Sequence, residues 1–286
     1  MVSATATAVI GGSGLYEIEG FEVKEKRKVD TPFGEPSAEL VIGTFAGAPV
    51  VFLPRHGLGH RYAAGAVNYR ANVWALKSVG VDRVLSISAV GSLRAEVEPR
   101  HFVVPDQFFD NTKRRASTFF EEGITVHVAL ADPYCAPVRE LAVAACRARG
   151  VAVHDGGIYV CIEGPQFSTR GESRVYRQLG FDIIGMTSAT EAKLAREAEM
   201  CYGTLALVTD YDVWFEAEDV TIEMVLANMR ANVDNVKAVI AEILPGLAAL
   251  GECGCHHALQ GAILTDPSVI APDVKKKLWP LIGKYL

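Results

Sequence analysis

Asp210-Tyr-Asp212 places two carboxylates, separated by one residue, directly behind the apolar run Tyr202–Thr209. Carrying charge to the end of a buried strand is unfavourable unless the charge is used. Alternate residues of an extended chain share a face, so the two carboxyls are expected on the same side. Two neighbouring carboxyls disfavour each other's ionisation, and one of them tends to keep a proton. They stand at the C-terminal end of a central strand, where open α/β sheets bind ligands, and are the candidate catalytic pair; a solvated turn after a strand is the plain alternative. Pro54-Arg-His-Gly57, followed by His60 and Arg61, is a concentration of positive charge in an acidic chain. A rigid Arg fork suits an oxyanion or phosphate, against the plain reading of a surface Arg beside a solvated His. Gly11-Gly-Ser-Gly14 follows a first strand and groups backbone N–H donors with the Ser13 hydroxyl, which suits a small anion; taken alone it is an ordinary tight turn. Ser88 closes the apolar strand VLSISA and is a better ligand candidate than Ser86. Phe167 is a stacking platform or plain core. His127, inside an expected strand 124–130, is by itself more simply structural.

These residues need strand ends to hold them. Apolar runs predict strands over 6–10, 39–45, 49–53, 83–89, 101–105, 124–130, 157–162, 181–186 and 202–209. Helical patterns follow at 67–79 and 137–149, each stopped by Gly. Two capping-box spacings, Thr169…Glu172 and Ser188…Glu191, open two more helices. The second of these runs to about Met200 and leads into the Asp210 strand. Ile222, Val225, Leu226, Met229, Val233, Val236 and Ile240 form a long apolar stripe at helical spacing. Residues 253–286 read as two helices broken at Asp266-Pro267. With no repeat or composition shift, residues 1–286 are expected to be a single α/β domain: a central mixed β-sheet flanked by helices, with a C-terminal helical segment at about 253–286.

The 286 residues carry a net charge of −6, which argues against a nucleic-acid surface. No apolar run is long enough for a membrane span, and the N-terminus lacks a basic leader, so the cytoplasm is the expected location. Six cysteines in a chain this long read as buried thiols. Cys253-Gly-Cys255, followed by two His, raises a metal clip or a redox pair. Its spacing is wrong for the usual zinc patterns and no second pair lies near it in sequence. A helix N-terminus with small residues is the favoured reading, no metal is expected, and a disulfide is the remaining option.

Taken in order, Gly11-Gly-Ser-Gly14, Pro54-Arg-His-Gly57, Ser88-Ala-Val-Gly-Ser92, Ile162-Glu-Gly-Pro-Gln-Phe167, Gly185-Met-Thr187 and Val208-Thr-Asp-Tyr-Asp212 resemble the purine nucleoside phosphorylase family, in the branch acting on 5′-methylthioadenosine. The resemblance spans about residues 8 to 245. It implies phosphorolysis of 5′-methylthioadenosine, and of adenosine, to adenine and a pentose 1-phosphate. Inorganic phosphate would be the co-substrate and no other cofactor would be needed. By the same resemblance, phosphate would lie on Ser13, Arg55, His56, Ser88, the Ala89 backbone and Thr187. The ribose would lie on Met186 and near Phe167. The base would face Asp210, Tyr211 and Asp212, with Ser168 nearby. Ile222 and Val225 would wall the methylthio group. His127 would reach a neighbouring subunit's site in a trimer or dimer of trimers. The chain departs from the family pattern in having Ser13 where Thr is common, and in lacking the Pro that often precedes Glu191. A phosphorylase for 6-oxopurine nucleosides would be expected to carry Asn at a base-facing position. A nucleoside-binding protein without catalysis is a further alternative. A dinucleotide-dependent dehydrogenase is disfavoured because Glu17 stands where the third fingerprint Gly belongs.

Overall fold

The computed structural model describes residues 6–12, 15, 17–215 and 221–286. Ser13 and the side chain of Met229 lie outside the described residues.

The strand that organises the sheet is β5 (Val81–Ser92), the longest among the described residues at 12 residues. Along one edge it pairs in parallel with β11 (Cys201–Asp210) over nearly its whole length. Its other edge is divided. β1 (Ala6–Gly11) pairs in parallel with β5 only as far as Ser86. β10 (Ile183–Gly185) pairs antiparallel with Gly91 and Ser92. Residues 87–90 of that edge therefore have no strand partner, and Ala89 is exposed in the middle of an otherwise buried strand.

Beyond β1 the sheet continues through β4 (Ala48–Pro54), β3 (Leu40–Phe45) and β2 (Phe21–Arg27). The hairpin between β3 and β4 turns on Ala46 and Gly47, both at positive φ, as a two-residue primed turn requires. Beyond β11 lie β6 (Phe102–Val104) and β8 (Val153–Asp155). Beyond β10 lie β9 (Ile158–Ile162) and β7 (Gln107–Asn111). Among the described residues, eleven strands make one mixed sheet.

Alternate residues of the central strands feed opposite faces. Ala8 and Ile10 join Val84 and Tyr202 under α1 (Tyr69–Ser78), α4 (Ser188–Glu197) and α6 (Pro272–Ile282). Val9, Leu85, Leu205 and Leu207 pack under α2 (Ala136–Ala148) and α5 (Ile222–Ala249). Burial on both faces is why β11 reads as an uninterrupted apolar run. The short α3 (Arg170–Gln178) opens on the expected capping box, Thr169 accepting from the Glu172 N–H and Glu172 accepting from the Thr169 N–H.

Several expectations are corrected. Residues 124–130 form no strand; Val126 makes one isolated bridge to Ile263, and His127 sits in irregular chain. The C-terminal segment contains one α-helix, α6, preceded by a 3-10 turn at Gly254–His257, not two helices. Ser188 is not a cap. It is the first residue of α4, with Thr187 at the N-cap and no side-chain capping bond. Glu191 is drawn instead into the core by a cation.

Candidate active site

That cation is Arg55, which leaves the end of β4 and is only 3% exposed. Its Nε donates to Glu191 Oε1 at 2.5 Å and its Nη2 to Glu191 Oε2 at 3.0 Å. Nη1 donates to Ile87 O at 2.8 Å and Nη2 to Ser86 Oγ at 2.6 Å. Four of the five guanidinium N–H groups are thus committed to the protein, and one on Nη1 is left over. Ser86 and Tyr202 also donate to Glu191. Arg55 is therefore clamped against the unpaired edge of β5.

Around that edge the polar groups converge. Ser88 Oγ lies 3.2 Å from Thr187 Oγ1 and 3.3 Å from the Tyr159 hydroxyl. Gly185 makes room for this cluster, because a Cβ there would lie 2.0 Å from the Tyr159 hydroxyl. Thr187 brings the N-terminus of α4, with its outward N–H groups and partial positive charge, to the same place. His56 sends Nδ1 to Tyr62 O at 2.9 Å and stacks on His60. Burial, with Arg55 next to it, lowers its pKa to about 4, so the ring is neutral at pH 7. The expectation that His56 carries charge is corrected: with Nδ1–H donated to a carbonyl, Nε2 is an acceptor. It suits the protonated oxygen of a phosphate.

The second group of polar atoms stands at the ends of β5 and β11. Asp210 is buried; Thr209 Oγ1 donates to its Oδ2 at 2.7 Å and the Asp212 N–H to its Oδ1 at 2.8 Å. The extended chain expected here is corrected. Asp212 has φ 51° and begins a 3-10 turn, Asp212–Trp214. The turn folds Asp212 back beside Asp210, and both crowd Gly91, where a Cβ would lie 2.8 Å from Asp210 Oδ1 and 3.4 Å from Asp212 Cβ. Burial raises the pKa of Asp210, and raises that of Asp212 to about 6. Asp212 Oδ2 is buried without a well-formed hydrogen bond, and so are Ser168 Oγ and Ser173 Oγ on the loop and helix that pack over this turn. The Ser173 hydroxyl stands close enough to the Asp212 carboxyl to oppose part of the rise in its pKa. Unpaired buried polar atoms are uncommon in folded proteins and call for an explanation.

The profile of the phosphorylase superfamily matches residues 6–245. The chain belongs to the phosphorylase superfamily. It is 49% identical over 280 residues to the S-methyl-5′-thioadenosine phosphorylase of Geobacter sulfurreducens, covering 97% of this chain and 98% of that one. A methylthioadenosine phosphorylase from an antarctic soil metagenomic library shares its fold with a TM-score of 0.93 and 45% identity, covering 98% and 99%. A variant adenosine/methylthioadenosine phosphorylase of Schistosoma mansoni, solved with methylthioadenosine, aligns with a TM-score of 0.84 and 36% identity over 90% of this chain and 96% of that one.

Within this superfamily member, the structure brings Arg55, His56, Ser88, Ala89 and Thr187 to one edge and Asp210, Tyr211 and Asp212 to the strand end beside it. Met186 packs on Gly164, where a Cβ would lie 2.5 Å from its Sδ, and Phe167 is half exposed. Asn228 Nδ2 donates to Thr209 O at 2.7 Å, which holds the first turns of α5 next to the end of β11. Ile222 is 61% exposed, Val225 is partly buried, and His127 is exposed with its N–H on Ala262 O. Sequence reading missed Glu191, seen only as a capping residue. It also missed Arg115, which donates to Met186 O at 2.8 Å and Glu163 O at 2.7 Å and so joins the loop to the Met186 strand end. Arg115 closes the basic run Lys113-Arg114-Arg115 in a polar loop, and such a run carries no spacing signal for that role.

Proposed function

We propose that the chain catalyses phosphorolysis of 5′-methylthioadenosine, and of adenosine, releasing adenine and the pentose 1-phosphate. The observation that carries this reading is the pair of buried carboxyls at the end of β11: Asp212 Oδ2 makes no hydrogen bond, although the Ser173 hydroxyl and the Val213 N–H stand near that carboxyl, and each Asp210 oxygen accepts one bond. An exocyclic 6-amino group supplies the missing donor, whereas a 6-oxo group does not. Asp210, its pKa raised by burial, is the proton donor to N7 of the departing base. Ser168, with its buried and unpartnered hydroxyl, offers a further bond to the same purine edge, and Ser173 faces Asp212 from behind.

Phosphate is the nucleophile. Arg55, Ser88, Thr187, the Ala89 N–H, the α4 N-terminus and His56 hold it against the sugar carbon, so the rate gain comes from position and orientation. Ser13 belongs to this set by resemblance. Met186 and Phe167 support the ribose, and Tyr211 flanks the base. Inorganic phosphate is a co-substrate, and the reaction as written needs no other cofactor. The partners are small molecules and further copies of the chain, with neither nucleic acid nor membrane involved. A homotrimer or dimer of trimers would bring His127 of one copy to the site of the next, and Ile222 and Val225 at the start of α5 would wall the methylthio group. We read residues 1–286 as one domain and the protein as cytoplasmic; among the described residues no helix is long and apolar enough to cross a membrane.

The test is free-base release from 5′-methylthioadenosine, adenosine, inosine and guanosine, with and without phosphate. Phosphate-dependent adenine release, with kcat/KM higher for the methylthio compound, is expected. An apolar 5′ wall favours methylthio over an unpaired hydroxyl by roughly 1–2 kcal/mol. Preference for inosine would overturn the base assignment. Nucleoside binding without turnover would favour a binding protein.

A further inference from the structure

The Cys253-Gly-Cys255 pair has no second pair near it in sequence, but it has one in space. Cys135 stands at the N-cap of α2, Cys201 is the first residue of β11, and Cys253 and Cys255 follow the end of α5. Because α2 and α5 both pack on the face of β11, three distant chain segments converge at the N-terminal end of that strand. The four Sγ atoms all lie within 4.8 Å of one another. Cys135, Cys201 and Cys255 are buried and Cys253 is partly so.

We propose that Cys135, Cys201, Cys253 and Cys255 form a structural tetrathiolate site for one zinc ion. The geometry decides between the readings of this cluster. A disulfide needs sulfurs about 2.0 Å apart, and all four cysteines are free. Zinc–sulfur bonds of about 2.3 Å, arranged tetrahedrally, put neighbouring sulfurs about 3.8 Å apart. Cys135 Sγ and Cys253 Sγ are separated by 3.7 Å, one edge of such a tetrahedron. Four soft sulfur donors with no carboxylate select zinc over hard cations. The site is closed, with no ligand position left for water, and that is the character of a structural rather than a catalytic ion.

The surroundings fit an anionic centre. His256 Nε2 lies 3.5 Å from Cys201 Sγ and 3.7 Å from Asp82 Oδ2, so its N–H stands between a thiolate sulfur and a carboxylate. Binding exchanges the thiol protons for one divalent cation and moves no electron. The site stands at the far end of β11 from Asp210, about 30 Å away along a strand of this length. Its effect is therefore to pin the 253–257 turn, and through it the C-terminal segment, to the central sheet.

The experiment uses the full chain, purified with reductant and without chelator. Elemental analysis is expected to find about one zinc per chain, released when a mercurial titrates the thiols. Cobalt substitution is expected to give the thiolate-to-metal charge transfer and intense visible bands of a tetrahedral sulfur site. Changing Cys253→Ser together with Cys255→Ser is expected to lower the zinc content about tenfold or more and to lower Tm, with kcat and KM at low temperature nearly unchanged. The wild-type metal content decides the matter even where the double variant does not fold. Zinc-loaded and dialysed protein that retains no metal and shows four freely titrating thiols would overturn the proposal. So would acid-quenched peptide maps showing Cys135, Cys201, Cys253 or Cys255 in disulfides. Iron in place of zinc would keep the tetrathiolate site and overturn the identity of its ion. None of these outcomes depends on which nucleoside is cleaved.

Discussion

Arg55 and Glu191, 136 positions apart in the chain, close a bidentate ion pair whose side chains are 3% and 2% exposed. The pair joins the end of β4 to the first turn of α4, across the edge of β5 that no strand covers. Each charge is tolerable there only because of the other. Glu191→Ala would leave a buried guanidinium without its counter-ion. The expected loss is about 3–5 kcal/mol of folding stability, read from urea unfolding. A loss below about 1 kcal/mol would show that Arg55 finds another partner or water.

Arg55 itself serves two purposes, and kinetics separates them from stability. Arg55→Ala is expected to destabilise the fold, because Glu191 is then stranded. In folded protein it should also raise the apparent KM for phosphate far more than that for the nucleoside. Losing one charge-assisted bond amounts to about 1.5–3 kcal/mol. Equal changes in both constants would remove Arg55 from the phosphate set.

The contrast between these two residues shows what was legible in the sequence. Arg55 stands at a strand end in a motif, so pattern alone placed it near an anion. Glu191 obeyed a local rule, the capping-box spacing, while its side chain answered a long-range one. No local pattern reports that a cation 136 residues away will claim a carboxylate. The strand β11 was readable because burial on both faces makes it nearly apolar throughout. The strand β2 was not, because it is an edge with mostly exposed, charged residues. The paired carboxylates were legible from their position behind β11. Their geometry was not, since the left-handed backbone at Asp212 carries no mark in an Asp-Tyr-Asp sequence.

That backbone turn buries Asp212 at a cost in stability. Its pKa in the fold is raised from the ordinary 3.8 to about 6 by burial. A raised carboxyl contributes stability that is present below pH 3.8 and is lost as pH climbs through 6. The loss is at most about 3 kcal/mol. Asp212→Asn should therefore be more stable than wild type at pH 8, and the difference should shrink toward pH 4. Urea midpoints at the two pH values check this. A difference that does not change with pH would mean that Asp212 titrates normally.

Assembly is a separate expectation. Ile222, Leu226 and Val233 are exposed on α5 at 61%, 43% and 37%. His127 is exposed next to Val126 and Val128, which pack on the other face of the sheet. An apolar helix face of this kind is expected to be covered in an oligomer. Sedimentation should give a trimer or a dimer of trimers, and His127→Ala should lower kcat/KM while leaving the assembly intact. A monomer with full activity at assay concentration would rule this out.

The two carboxylates at the end of β11 should separate base choice from turnover. Asp212 Oδ2 is buried and makes no hydrogen bond, with the Ser173 hydroxyl and the Val213 N–H as the chain's donors near that carboxyl, so a 6-amino group adds a donor there and a 6-oxo group does not. Asp212→Asn adds a donor at that point, which a 6-oxo purine can accept. Asp210 differs, because both its oxygens are occupied by Thr209 and the Asp212 N–H. An Asn at 210 can keep both bonds. Its carbonyl accepts from the Asp212 N–H, and its amide donates to Thr209 Oγ1, whose proton turns to Val90 O, already 3.2 Å away. Asp210→Asn should therefore fold normally while lacking the exchangeable acid. Steady-state kinetics on adenosine, inosine and 5′-methylthioadenosine should show the adenosine-to-inosine ratio moving toward inosine in Asp212→Asn. Sites built to bond a substrate group discriminate strongly against analogues that lack it, so the shift should be large. Asp210→Asn should lower kcat for every base by about 10²-fold or more, the usual scale for a lost general acid. If Asp212→Asn folds normally and keeps its base preference, the 6-amino contact belongs to another residue, and Ser168, with its own buried and unpartnered hydroxyl, becomes the next to change.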